Sequence, residues 1–367
     1  MTRYLKLLII NLICALVVVS TFKIAKVSAN SNSAEIVMEV NTGRILHSFN
    51  ANVKKPMAST TKVLTAITII DNCNVEDKVK ISKESVGIEG SSIYLQEGEL
   101  LTVKELLYGL MLRSGNDTAT ALALYKSGSI ENFATLMNET ARKIGATNSN
   151  FTNPHGLHDD NHYTTAKDLA VISCYAMKND IFREIVGTKK IIIPNTVTGT
   201  PRLLLNKNKM LNLCEGSTGI KTGYTKKAGR CLVSSAKRNG MEVVCVVLNC
   251  PPMFEQSIKL INDRFSLYAY KKLVEKNSKI ADIKLAGSNK TLVAFLNEDL
   301  LVPIKENEIN DVRIEYNLKK EIKFSLNSKN ECGKINVYVK NELIFSQKVY
   351  TMLSVEDNLY LTLSNYL

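Results

Sequence analysis

A chain of 367 residues with 45% apolar and 22% charged residues has the composition of a globular protein large enough for two modules, which excludes an intrinsically disordered one. Its formal charge of +12 includes no basic run interleaved with aromatics, so no nucleic-acid partner is expected. The cysteines and the four histidines are irregularly spaced, with no pattern that suggests zinc, so neither a metal nor a cofactor is expected.

Arg3 and Lys6 lead into the uncharged apolar run from Leu7 to Phe22, and Val27-Ser28-Ala29 offers small residues where a signal peptidase reads. This tripartite pattern predicts a secretory signal over residues 1–29. The run of about 16 residues is short for the roughly 20 that span a bilayer. Removing the segment takes away Arg3, Lys6, Lys23 and Lys26 and no acid, leaving +8. An exported, extracytoplasmic chain with that balance is attracted to anionic envelope polymers or lipid headgroups, so peripheral membrane or cell-wall association is a further expectation. Seven cysteines remain, an odd number, and they read as small buried hydrophobes.

Beyond the leader, Ser33 to Ser48 reads as a hairpin turning at Asn41-Thr42-Gly43. A helix opens near Ser59, and Thr102-Val103-Lys104-Glu105 is a capping box starting another through Leu112. Ser114-Gly115-Asn116 interrupts it before a helix from Asp117. Ser129 to Ile144 is a helix closed by Gly145, and Thr165 to Asp168 opens the next. Gly216 to Asn249 reads as three strands with Asn239-Gly240 as a hairpin turn, followed by a helix from about Phe254 to Lys272. This order implies an α/β (α+β) domain with a mostly antiparallel sheet. Near Lys276 to Lys279 the texture changes to short alternating segments such as Lys334 to Val339. The expected organisation is a main domain over 30–276, a small β-rich domain over 280–351 and a tail over 352–367.

Three short motifs carry the candidate chemistry. Ser59 and Lys62 are three apart on the expected helix, so their side chains share a face. A serine hydroxyl needs a base to become a nucleophile, and a desolvated lysine near other cations can be neutral enough to serve. Ser114-Gly115-Asn116 lies between two helices, where a polar loop can face a cleft. Lys221-Thr222-Gly223 is the only KTG in the chain and falls on an expected strand, with Lys221 and Gly223 on one face and Thr222 on the other. Each motif alone is cheap. Ser234 to Lys237 also matches SxxK, and Ser48-Phe49-Asn50, Ser325-Leu326-Asn327 and Ser328-Lys329-Asn330 also match SxN. The ordered set, each on the element its chemistry needs, is far more specific.

With this text in place the chain resembles the low-molecular-mass penicillin-binding proteins, the serine-type D-Ala-D-Ala carboxypeptidases. The resemblance rests on Pro56 to Lys62, Leu112 to Asp117, Asn153 to Leu157 and Gly219 to Thr225. It implies a β-lactamase/transpeptidase-like domain whose antiparallel sheet is flanked by helices, followed by a small all-β domain. It implies Ser59 as nucleophile, Lys62 as proton acceptor, and Ser114 and Asn116 lining the cleft. Lys221 and Thr222 would hold a terminal carboxylate, beside Gly223, and the N–H groups of Ser59 and Tyr224 would form an oxyanion hole. The implied partners are peptidoglycan stem peptides and β-lactam antibiotics. His155 and Asp168 also match the family's text but read as structural residues.

Two rivals are weighed. A β-lactamase uses the same motifs, but no Glu-x-x-Leu-Asn lies between SxN and KTG; the near match at Glu306 to Asn310 comes later. A non-catalytic envelope protein would have no need of the full set. The family often ends in a basic amphipathic helix, whereas here Leu359, Tyr360, Leu363 and Leu367 follow Glu356 and Asp357, with no Lys or Arg after Lys348.

Overall fold

The computed structural model describes residues 32–323 and 330–352. The leader and the C-terminal stripe of leucines lie outside these residues. The central sheet has five antiparallel strands in the order β2-β1-β5-β4-β3: β1 Ala34–Glu39, β2 Ile45–Phe49, β3 Ser217–Thr225, β4 Gly229–Arg238 and β5 Met241–Leu248. All eight residues of β5 are buried, because the sheet is covered on both faces. Alternation assigns the faces. Val244, Val246 and Leu248 pack with the helices of the larger core, whereas Val243, Cys245 and Val247 meet Met253, Leu260 and Ile261 on the other side.

On the larger face lie α1 Lys62–Asn72, α2 Val103–Tyr108, α3 Asn116–Ser127, α4 Ile130–Ile144, α5 Ala166–Ala176 and α6 Asp180–Gly187. Every residue of α1 from Lys62 to Ile70 is buried. A helix buried on all sides belongs at the centre of a layer, and α1 carries the candidate lysine there. The expected caps are present. Thr102 and Glu105 form the capping box, Ser129 and Thr165 accept from Asn132 N and Asp168 N, and Gly145 closes α4 at φ +100°. Asn239 and Gly240, both at positive φ, make the turn between β4 and β5. Sequence reading does not anticipate α6, the four-residue α7 Met210–Leu213, or two ribbons pairing 78–80 with 100–102 and 190–193 with 202–205.

Under the smaller face lies α8 Met253–Leu267, which is shorter than expected. Residues Tyr268–Val274 form strand β6. Tertiary pairing decides this: β6 lies antiparallel to β9 Leu300–Lys305, and Tyr268 is buried in the core while Tyr270 reaches back to the buried Glu39, donating its hydroxyl at 2.6 Å. The remaining strands, β7 Ala281–Leu285, β8 Thr291–Phe295, β10 Val312–Leu318, β11 Glu321–Ile322, β12 Glu331–Val339 and β13 Glu342–Met352, form a six-stranded sheet in the order β10-β12-β13-β8-β7-β11. They have a separate core that includes Leu292, Leu296, Ile335 and Val337. The fold is therefore an α/β domain on an antiparallel sheet with an all-β module after it. All seven described cysteines are free, and six are buried.

Candidate active site

Ser59 sits in a single 3-10 turn, Ala58–Thr61, that leads directly into α1. The residue before it, Ala58, has φ +50°, a left-handed conformation that a β-carbon disfavours. Such a turn persists only where its surroundings hold it. Thr60 Oγ1 donates to Met57 O at 2.6 Å and Thr61 Oγ1 donates to Ala58 O at 2.8 Å. Thr152 N donates to His162 Nδ1 at 3.0 Å, so the ring's hydrogen is on Nε2, which meets Thr61 Oγ1 at 2.8 Å. Burial holds this imidazole neutral, with its pKa at about 4. Gly156, at φ +86°, passes so close behind the turn that a β-carbon there would lie 2.0 Å from Ala58 O.

At the first residue of α1, the Lys62 side-chain nitrogen lies 3.2 Å from Ser59 Oγ, 2.7 Å from Asn116 Oδ1 and 2.6 Å from the carbonyl of His155. Lys62 is fully buried. Burial pushes its pKa well below the ordinary lysine range, and the Lys221 charge pushes the same way while Asp117 opposes. A lysine within hydrogen-bond reach of a serine, with its pKa lowered by burial, has the geometry expected of a general base.

Asn116 is oriented from both ends. Its Oδ1 accepts from Lys62, its Nδ2 donates to Glu89 O, and its backbone N donates to Ser91 O at 2.7 Å. The chain reaches it through a π-type turn, Gly109–Arg113, after which Ser114 takes φ +64°. π-turns recur where a helix must redirect functional side chains. The neighbouring Asp117 is buried and holds the 92–95 loop over the site. Its carboxylate accepts from Ser92 Oγ at 2.5 Å, Ile93 N at 3.0 Å and Leu95 N at 3.1 Å.

Strand β3 is an edge of the central sheet and passes against the Ser59 turn. At Gly223 a β-carbon would stand 3.0 Å from Met57 O and 3.2 Å from Ser59 N, so glycine is what allows this approach. Lys221, buried beside Lys62, donates to Thr222 O at 3.0 Å. Its pKa is lowered to about 7, first by burial and then by Lys207. Ser59, Ser91, Ser114, Thr222, Gly223 and Tyr224 line one cleft of about 310 Å³, joined by Lys207 and Arg230 on its rim. Ser59, Ser114, Thr222, Gly223 and Tyr224 thus converge from three separate stretches, with Lys62, Asn116 and Lys221 buried behind them.

The competing motif matches among the described residues do not converge. Ser234 is buried in β4 and bonds to Cys245 O, while Lys237 points to the exposed side; Ser48 to Asn50 ends β2. Of the two matches from Ser325 to Asn330, every residue but Asn330 lies outside the described residues. Asp168 accepts from Asn148 N at 2.6 Å and Ser149 Oγ at 2.8 Å, which pins a loop. His155 serves the site through its backbone carbonyl. Sequence reading missed Lys207, Ser91 and His162. The first two carry no local signal, and His162 acts only through a partner 101 positions away. A larger cavity of about 500 Å³ lies between the β1–β2 hairpin, α5 and the β module and contains none of these residues.

Comparison with known proteins gives the same outline. The family model described as D-alanyl-D-alanine carboxypeptidase matches residues 20–251. The model described as penicillin-binding protein 5, C-terminal domain, matches residues 268–357. The chain is 31% identical over 331 residues to D-alanyl-D-alanine carboxypeptidase DacF of Bacillus subtilis, covering 88% of this chain and 85% of that protein. It is 36% identical over 249 residues to a D-alanyl-D-alanine carboxypeptidase of Streptomyces sp., covering 63% and 86%. Among solved structures, penicillin binding protein 5 from Haemophilus influenzae superposes with a TM-score of 0.71 at 27% identity, covering 88% of this chain and 96% of that one.

Proposed function

The chain belongs to the D-alanyl-D-alanine carboxypeptidase family of serine peptidases, the low-molecular-mass penicillin-binding proteins, and on that premise we propose that it is an exported enzyme that trims the terminal D-alanine from peptidoglycan stem pentapeptides through an acyl-enzyme. The observation that carries this reading is the fully buried Lys62 side-chain nitrogen 3.2 Å from Ser59 Oγ and 2.7 Å from Asn116 Oδ1. Ser59 Oγ attacks the carbonyl joining the two D-alanines as Lys62 takes its proton. Charge developing on the carbonyl oxygen is met by the N–H groups of Ser59 and Tyr224. The amine of the leaving D-alanine takes a proton through the Lys62, Ser114 and Asn116 group, and the peptide stays on Ser59 as an ester. Water then attacks the ester as Lys62 accepts its proton; Lys62 returns that proton to Ser59 Oγ as the ester bond breaks, which releases the shortened peptide. Lys221 and Thr222 hold the terminal carboxylate, and a β-lactam, which carries a comparable carboxylate beside its strained amide, acylates Ser59 by the same first step. The work is done outside the cytoplasm, where the substrate is.

Mass spectrometry of the purified protein after penicillin, and separately after a D-Ala-D-Ala pentapeptide, tests this. A penicilloyl adduct mapping to Ser59, release of one D-alanine per turnover, and loss of both in Ser59→Ala are expected. An adduct on another serine would overturn the site, and an adduct that forms without D-alanine release would overturn the activity.

A further inference from the structure

The ribbon made by residues 190–193 and 202–205 is apolar on both faces. Ile193 and Leu204 are buried in the main core, and the Arg202 guanidinium pairs with the buried Glu99, so the ribbon is fixed to the body. Cross-strand partners share a face, and the register places Ile192 opposite Leu203 and Lys190 opposite Leu205. That second face is open to solvent, with Ile192 66%, Leu203 56% and Leu205 49% exposed. An antiparallel ribbon with one face in the core ordinarily presents polar residues on the other. Val197 at the ribbon's tip is 52% exposed, and Tyr94, whose carbonyl accepts from Arg202, is 82% exposed.

The charge around this face is one-sided. Between Glu184 and Glu215 the sequence has no acidic residue, and it has five cations: Lys189, Lys190, Arg202, Lys207 and Lys209. Arg202 is committed to Glu99, and the four lysines are exposed. The adjoining loop between Ser85 and Leu100 carries two exposed acids, Glu89 and Glu97. Exposed aliphatic side chains with a tyrosine beside them and lysines around the rim match the chemistry of an anionic bilayer surface. The aliphatic groups enter the acyl boundary, the aromatic sits at headgroup level, and the lysines meet phosphates. A soluble anionic polymer would use the lysines and leave the aliphatic face without a partner.

We propose that this ribbon is a membrane-docking element that seats Ile192, Val197, Leu203 and Leu205 in the surface of an anionic phospholipid bilayer. The second ribbon strand runs on within two residues to Lys207 on the rim of the cleft, so docking holds the cleft near the headgroups. The chain contains no tryptophan, which makes a single introduced one a local reporter. Leu203→Trp, and independently Ile192→Trp, are prepared in the full chain, with Ile309→Trp in the β module as the control site. Each is titrated with phosphatidylglycerol vesicles, phosphatidylcholine vesicles and soluble poly(glycerol phosphate). Because the reporter sits in the ribbon, binding through any other segment does not mimic the signal. Both ribbon reporters are expected to shift to the blue with phosphatidylglycerol alone and to be quenched by lipids brominated in their acyl chains, while Ile309→Trp does neither. Adding Lys190→Gln to the Leu203 reporter raises the lipid concentration at half-shift about fivefold. Ribbon reporters that stay unquenched with phosphatidylglycerol overturn the proposal. An equal shift with the soluble polymer overturns it in favour of a wall polymer, and equal quenching at Ile309→Trp shows that this ribbon is not the docking element.

Discussion

Lys221 is a buried cation whose pKa has fallen to about 7, and its proposed partner is a carboxylate. A charge-assisted hydrogen bond contributes roughly 1.5–3 kcal/mol, which is about 10- to 150-fold in rate if realised at the transition state. Lys221→Ala is therefore expected to lower kcat/KM for the pentapeptide by at least that order and to matter far less for an analogue whose terminal carboxylate is amidated. Equal losses on both substrates would assign Lys221 to proton transfer or cleft structure. The pH profile follows from the same charge. In the free enzyme Lys221 gives up its proton as pH rises through about 7, so kcat/KM for the free-carboxylate peptide falls along an alkaline limb near that pH. Lys207→Gln removes the neighbouring positive charge, which moves the limb to higher pH; an unmoved limb would mean that another group sets it. Gly223 works by size. Its missing β-carbon leaves room for Met57 O and Ser59 N, so Gly223→Ala is expected to push β3 off the Ser59 turn, costing about 1–3 kcal/mol of stability and lowering the acylation rate measured with a fluorescent penicillin.

The turn 58–61 depends on other elements, and this dependence is sensitive to acid. His162 must stay neutral to accept from Thr152 N while donating to Thr61. Its folded pKa of about 4 lies below the unfolded 6.5, so between those values the unfolded chain binds the extra proton. Unfolding free energy therefore rises with pH across this window and is lost as pH falls from about 6.5 towards 4. The share of this one group is about 2–3 kcal/mol. His155, held at about 3 by burial and then by Lys62, adds to the same slope. Urea unfolding at pH 7 and pH 5 is expected to show the loss, and His162→Gln is expected to show a smaller pH dependence than the parent. The parent's dependence persisting unchanged in that variant would remove His162 from the account.

At the scale of the molecule, the β module is joined to the catalytic body by particular contacts. The Arg44 guanidinium makes two 3.0 Å bonds to Glu308, and β6 pairs with β9 while Tyr270 reaches Glu39. Among the described residues, none lining the cleft comes from this module, and we propose that residues 280–367 are dispensable for chemistry, and with them β6. A chain ending at Lys279 would keep β6 without its partner and expose a strand edge; one ending at Leu267 avoids this. Acylation of the shorter chain by penicillin at the parent rate is expected, with a lower melting temperature from the lost Glu39 and Arg44 contacts. A well-folded truncation that fails to acylate would show that the modules are not independent.

Local sequence determined much of this protein, because the forces concerned act over a few residues. Ser129, Thr165, Gly145 and the Thr102–Glu105 box marked helix ends by satisfying backbone groups within one turn. Asn239-Gly240 marked a hairpin by its tolerance of positive φ. The ordered Ser59-to-Lys62, Ser114-to-Asn116 and Lys221-to-Gly223 text pointed to the candidate site because chemistry constrains residue identity as well as hydrophobicity. Tertiary structure alone decided the rest. Tyr268–Val274 became a strand because β9 pairs with it, from Val274 with Leu300 to Tyr268 with Lys305, a long-range hydrogen-bond ladder that overrides a helical reading. The His155 carbonyl reached Lys62 across 93 positions through a backbone atom that every residue type carries, so no side-chain pattern could have revealed it. Burial lowered the pKa of Lys62 and of Lys221, since the cost of a charge depends on how much water the assembled core has excluded.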